Sequence, residues 1–226
     1  SIKLEVRNTM FDAVIFDFDG TVADTGEGVR NAVRYALRKY NIPIIEDRLN
    51  EFLGPPLYLT FEDQYKVTPE FASTLVDTYR VYYTEKGVYE LELYPGMLDL
   101  LETLKADGVK VAVASSQPQH YLDLAIPYLK IDTYFDAVIG PELKNHNSDK
   151  SRLVLSACEA LGVEPSKRVV MIGDRFYDID GAKKAGVASA AFLSGYGSKE
   201  ELESHASDII AEDATALKKA LTTNNL

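Results

Sequence analysis

The stretch Phe11-Asp12-Ala13-Val14-Ile15-Phe16-Asp17-Phe18-Asp19-Gly20-Thr21 decides how the rest of the chain is read. Its apolar run predicts a buried strand, and the run ends in two acids followed by Gly-Thr. In an open α/β sheet, a carboxylate at the C-terminal edge of a strand stands where such folds place their ligands. Side chains at i and i+2 share one side of a strand, so Asp17 and Asp19 are expected to meet the same approaching group. Buried in a strand interior, the two acids would be costly without a cation or donors. The pair therefore predicts a site rather than a plain turn.

Two later stretches have the same form. The strand Val109–Ala114 ends in Ser115-Ser116, small hydroxyls that can donate hydrogen bonds to a phosphate without bulk. The strand Arg168–Ile172 runs into Gly173-Asp174-Arg175-Phe176-Tyr177-Asp178, again an apolar run, a turn and acids.

Between the first and second of these stretches the pattern is helical. Asp24 and Thr25 can cap a helix with apolar residues at Val29, Val33, Ala36 and Leu37. Pro43 and Gly54-Pro55-Pro56 interrupt the block, and Pro69 starts a further helix towards Lys86. We read residues 25–90 as a small helical domain, with hinges near Val22–Gly26 and Val88–Tyr94. Residues 10–24 and 91–226 then form one α/β core.

In that core, helices are predicted over Met97–Ala106, after Pro118, over Lys150–Leu161 (capped by Ser148 or Asp149), over Tyr177–Ala185 and near Ala214–Leu221. They alternate with strands at Ala137–Ile139, Ala188–Phe192 and Asp208–Ile210. Alternation of this kind predicts a three-layer, Rossmann-like parallel α/β sheet.

Asp17-Phe18-Asp19-Gly20-Thr21 resembles the first motif of the haloacid dehalogenase superfamily, whose members are mostly magnesium-dependent phosphatases. Ser115 resembles the second motif, which binds the phosphoryl group, with Ser116 and Gly20 beside it. Gly173-Asp174 with Asp178 resembles the fourth. The resemblance implies Asp17 as nucleophile and Asp19 as general acid and base. It also implies Mg²⁺ held by Asp17, Asp174 and the backbone carbonyl of Asp19, with Asp178 orienting groups around them or, alternatively, ligating through water. The third motif is a lysine. Lys150, opening a helix, is the choice, with Lys144 as its rival, because the frequent Lys-Pro pattern is missing.

The helical insert resembles the cap of the phosphoglycolate-phosphatase-like group, and Phe52-Leu53-Gly54-Pro55-Pro56-Leu57 its substrate-facing loop. A closing cap implies a small soluble phosphate ester, such as phosphoglycolate, pyrophosphate, a nucleotide or a sugar phosphate. A β-phosphoglucomutase-like activity is the alternative within the superfamily. A receiver-like signalling domain is the alternative outside enzymes, disfavoured by the insert and by the acid at i+2.

Composition sets the remaining bounds. A net charge of −11 over 226 residues argues against nucleic acid as partner. The single cysteine, Cys158, falls in an apolar helical pattern and permits no internal disulfide, which suits a reducing, cytoplasmic setting. No apolar run is long enough to span a membrane, and residues 1–9 lack the apolar block of a signal peptide. Those nine residues are read as an extension, a non-native remnant or an alternative start. His120, His146 and His205 show no ligand spacing, and Tyr79, Tyr82, Tyr83 and Tyr89 are assigned mostly to packing. A monomer or homodimer is expected.

Overall fold

Strand β1 (Ala13–Phe16) pairs in parallel along both of its edges, and the architecture grows outward from it. The computed structural model describes residues 9–143 and 149–222. Lys144, His146 and Ser148 lie outside the described residues. Later strands are β2 (Ala23–Asp24), β3 (Glu92–Leu93), β4 (Lys110–Ala114), β5 (Ala137–Ile139), β6 (Val169–Gly173), β7 (Ala188–Phe192) and β8 (Ile209–Ala211). The helices are α1 (Gly26–Lys39), α2 (Leu57–Tyr65), α3 (Pro69–Glu85), α4 (Met97–Ala106), α5 (Gln119–Tyr128), α6 (Lys150–Leu161), α7 (Phe176–Ala185), α8 (Lys199–Ser204) and α9 (Ala214–Thr222).

The main sheet has the order β5-β4-β1-β6-β7-β8, with every pair parallel. From β1 the chain winds outward through β4 and β5, then returns to β6 and winds the other way. The order therefore reverses between β1 and β6. In open parallel sheets that reversal opens a crevice at the carboxyl ends of the strands, where ligands bind.

Parallel strands are covered on both faces, which is why β1, β6 and β7 are apolar or small throughout and buried along their whole length. One face carries Ala13, Ile15, Ala112, Ala114 and Met171, packed against Val154, Ala157, Cys158 and Leu161 of α6 and Ala182 of α7. Cys158 is thus a core residue. Small side chains on the sheet let these helices lie close, and that closeness brings the first residue of α6 to the end of β1.

The chain divides into two compact units, Ser1–Ala23 with Leu93–Leu226, and Asp24–Glu92. In the second unit, Ala32, Val33, Ala36 and Leu37 of α1 are buried, as are Ala72, Leu75, Tyr79 and Tyr83 of its packing partner α3. Tyr79 and Tyr83 stack at 5.4 Å, while the Tyr82 hydroxyl donates to Glu90 at 2.7 Å. Thr68 caps α3 by accepting from the Phe71 N–H at 3.2 Å, and Pro69 fills the first helical position, where no N–H is needed.

Three features differ from the sequence reading. The segment Glu46–Phe52 is a 3₁₀ helix, too short and tight to carry an α-helical stripe. The two connections read as hinges carry β2 and β3, which pair as a two-stranded sheet. Helix α8 is unanticipated, because six residues show no periodicity; Ser198 caps it through the Glu201 N–H.

Candidate active site

Asp17 follows the last residue of β1, and its N–H still donates to Ile172 O at 2.8 Å, so it continues the ladder to β6. Its parity with Ala13 and Ile15 directs it to the face covered by α6 and α7. The chain then turns sharply. The Phe18 carbonyl accepts from the N–H groups of Thr21, Val22 and Ala23 at 3.2, 3.0 and 3.1 Å, and Gly20 adopts a positive φ of 79°. Asp19 consequently sits in a half-buried turn beyond the strand. The shared strand face expected for Asp17 and Asp19 does not exist, because the ladder stops before Asp19.

Lys150 is the first residue of α6, whose N-terminus is capped by Asp149 accepting from the Ser151 N–H at 3.0 Å. Its stem passes Gly181 of α7, where a Cβ would lie 2.9 Å from the lysine carbons. The ammonium donates to Asp17 Oδ1 at 2.9 Å and to Ala114 O at 3.0 Å, and it stands 3.0 Å from Asp178 Oδ1. With only 4% of Lys150 exposed, this is a buried ion-pair cluster joining β1, β4, α6 and α7.

Asp174, fully buried, follows β6. Its Oδ1 accepts from the Thr21 hydroxyl at 3.1 Å, and its Oδ2 from the Tyr196 N–H at 2.8 Å. Asp178, in the first turn of α7, accepts from the Arg175 N–H at 3.1 Å and fits only because Gly173 lacks a Cβ. Ser115 follows β4 and is almost fully buried, its Oγ accepting from the Gln117 N–H at 3.1 Å; Ser116 is exposed. Tyr177 places its ring 5.9 Å from the Lys150 ammonium and 5.7 Å from the Arg175 guanidinium.

Asp17, Asp174 and Asp178 each present a carboxylate oxygen within 4.8 Å of the others. Burial, with Asp19 adding repulsion and Lys150 opposing it, raises the Asp17 carboxyl above its ordinary value. Burial and the neighbouring Asp17 and Asp178 raise Asp174 well above its own. Asp178 is pushed up to about 7, first by burial and then by Asp17. Burial works against the Lys150 ammonium, yet Asp17 and Asp178 outweigh it and raise its pKa.

Lys150 thus pairs with two of the three buried acids, Asp17 and Asp178, and burial together with the crowding of like charges raises all three carboxyls. An all-oxygen donor set at that spacing fits a hard divalent cation such as Mg²⁺. Asp178 belongs to the same cluster as Asp17 and Asp174.

Comparison with known proteins identifies the family. The sequence profile described as haloacid dehalogenase-like hydrolase matches residues 14–192, which include all of these acids and Lys150. The chain belongs to that family. A 5'-nucleotidase of Pseudomonas aeruginosa is 32% identical over 209 residues, 92% of this chain and 94% of that protein. The crystal structure of a predicted phosphatase from Clostridium acetobutylicum has 36% identity and a TM-score of 0.85, covering 93% of this chain and 97% of that one.

The tyrosine-protein kinase PtkA of Mycobacterium tuberculosis is 29% identical over 92% of this chain and 72% of that protein. Its structure superposes with a TM-score of 0.80 at 28% identity, over 93% of this chain and 97% of that one. Among the described residues, no helix of this family member is long and apolar enough to cross a membrane.

Some of the groups that build the site were given no role in the motif reading. They are the Ala114 carbonyl, the Thr21 hydroxyl and the Tyr177 ring, the last two inside the quoted motifs, and the Gly195-Tyr196-Gly197 turn after β7. Glycines flanking one residue shortly beyond an apolar run were the available signal for the turn. A carbonyl that becomes a lysine's acceptor leaves none.

Proposed function

We propose that the chain is a Mg²⁺-dependent phosphatase acting on a small phosphomonoester through an aspartyl-phosphate on Asp17. The observation that carries this reading is the Lys150 ammonium set between Asp17 and Asp178 at the β1/β6 reversal. It is a fixed positive charge beside a fixed nucleophile, in a cluster short of cations.

Asp17, Asp174 and Asp178, with the carbonyl of Asp19, would hold the metal, and Mg²⁺ bound there supplies charge compensation to the phosphoryl oxygens. In the first displacement an Asp17 carboxylate oxygen bonds to phosphorus. The phosphorus–oxygen bond to the leaving group breaks, and the leaving oxygen takes the proton from Asp19. In the second, Asp19 takes a proton from water as the water oxygen bonds to phosphorus and the bond to Asp17 breaks. Lys150 holds one Asp17 oxygen, fixing the carboxylate for attack, and offsets charge on the transferring group. Ser115, with Ser116 and Gly20, lies at the adjacent strand ends where phosphoryl oxygens would be bound.

Residues 25–90 are read as a cap, and the Phe52–Leu57 loop as its selective element. The reading favours a substrate small enough to be enclosed: phosphoglycolate, a nucleoside monophosphate, a sugar phosphate or pyrophosphate.

The test is turnover of p-nitrophenyl phosphate and a panel of those esters, with and without Mg²⁺. Steady turnover that stops on chelation is the expected result. A single stoichiometric phosphorylation without turnover would instead indicate a receiver-like domain, and glucose-phosphate isomerisation a mutase.

A further inference from the structure

The turn Gly195-Tyr196-Gly197 follows β7 after Leu193 and Ser194 and carries no carboxylate, imidazole or thiol, yet three of its residues approach Asp174 closely. The Tyr196 N–H donates to Asp174 Oδ2 at 2.8 Å. A Cβ at Gly195 would collide with the Gly20 carbonyl and with the Asp174 side chain. A Cβ at Gly197 would collide with the Asp174 carbonyl. Neither glycine has a positive φ, so glycine is demanded here by close approach rather than by backbone conformation. Opposite the turn, the Thr21 hydroxyl holds Asp174 Oδ1 at 3.1 Å.

We propose that Gly195–Gly197 is a positioning element for Asp174, clamping its carboxylate between the Tyr196 amide and Thr21 so that it meets the cation with its orientation already set. The turn follows the neighbouring parallel strand, β7, which the β6–β7 register sets beside Asp174's own strand with Gly173 opposite Ala191. A ligand fixed before the metal arrives loses less freedom on binding, and outer partners of metal ligands are worth 10–100-fold in affinity as a rule. The inference rests on the metal reading above.

Direct titration of the metal-free protein with Mn²⁺, followed by electron paramagnetic resonance, tests it without recourse to turnover. Asp174→Asn should abolish tight binding, which checks the metal reading by itself. Gly195→Ala and Gly197→Ala should weaken Mn²⁺ binding by about 10-fold or more. They should raise the Mg²⁺ needed for half-maximal activity by a similar factor, while kcat at saturating Mg²⁺ recovers to within about threefold.

Tyr196→Pro removes the amide donor without adding a Cβ at either glycine. Tyr196 has a negative φ, so this variant offers a second route if the alanine variants do not fold. Ser194→Ala, in the same loop but bonded to Glu212 O, should bind Mn²⁺ as the parent does. If Asp174→Asn loses binding and the folded turn variants keep parental affinity, the clamp is refuted and the metal site stands. If Asp174→Asn itself binds normally, the metal reading and the clamp fall together.

Discussion

Replacing Lys150 by methionine keeps the stem against Gly181 and removes the charge together with its hydrogen bonds to Asp17 and Ala114 O. At an effective dielectric constant of about 20, the pair at 2.9 Å with Asp17 is worth roughly 6 kcal/mol gross. The Asp178 pair at 3.0 Å adds a similar gross amount. Desolvation of the ammonium offsets much of this, and deleting one partner of a buried pair leaves a net loss of about 3–5 kcal/mol. Metal-free Lys150→Met should therefore unfold at markedly lower urea concentration, and Mg²⁺ should restore part of the difference by supplying the charge. The chemical step loses a fixed electrostatic stabiliser, so kcat should fall by about 10²-fold or more, roughly 2.7 kcal/mol of barrier. Turnover of p-nitrophenyl phosphate at saturating Mg²⁺, beside urea melts with and without metal, measures both effects. Lys144→Ala, changed in parallel, should stay near the parent. A folded Lys150→Met enzyme within about threefold of the parental kcat would refute the reasoning, and loss with Lys144→Ala instead would move the third motif there.

Asp17→Asn should abolish hydrolysis and weaken Mn²⁺ binding, whereas Asp19→Asn should abolish hydrolysis yet leave much of the metal affinity, because its proposed ligand is a backbone carbonyl; equal loss of metal in both would contradict that assignment. Substitutions in Gly54–Leu57 should reorder the preference among natural phosphate esters more than they change p-nitrophenyl phosphate turnover; uniform loss on every substrate would mark the loop as purely structural. Asp178 is held at about 7, above its ordinary 3.8, so between those values the folded chain keeps a proton that the unfolded chain has released. Thermal melts of the metal-free protein should accordingly show stability falling as pH rises through that window. Mg²⁺, which binds the ionised form, should raise the melting temperature more at pH 7.5 than at pH 5; the opposite order would show that Asp178 is ionised throughout.

The sequence alone carried the strand–helix alternation, since each core strand is a short apolar run ended by a turn and each helix shows a 3.6-residue stripe or a cap. The strands Ala137–Ile139 and Ala188–Phe192 and the helices Met97–Ala106 and Lys150–Leu161 appear with the expected bounds. Those signals are local: propensity, capping and hydrophobic period act within a few residues. The family motifs were equally legible, because a carboxylate at a strand's end is a feature of one short stretch.

Beyond the meeting of motifs that the family resemblance implied, local signals could not reveal how the stretches are brought together. Strand order, with β6 rather than β7 beside β1, follows from side-chain packing across the sheet and from crossover geometry. That order sets Asp174 next to Asp17. The placement of Lys150 on Asp17 depends on how closely α6 lies against the small residues of β1, β4 and α7. Asp178 entered the acid cluster because α7 begins directly over Gly173, and Asp19 left the strand because Phe18's carbonyl gathers three N–H groups into a turn. The Gly195–Gly197 clamp is set by the same tertiary register. Its contacts run through backbone atoms, which every residue possesses, so only the folded sheet could single these out.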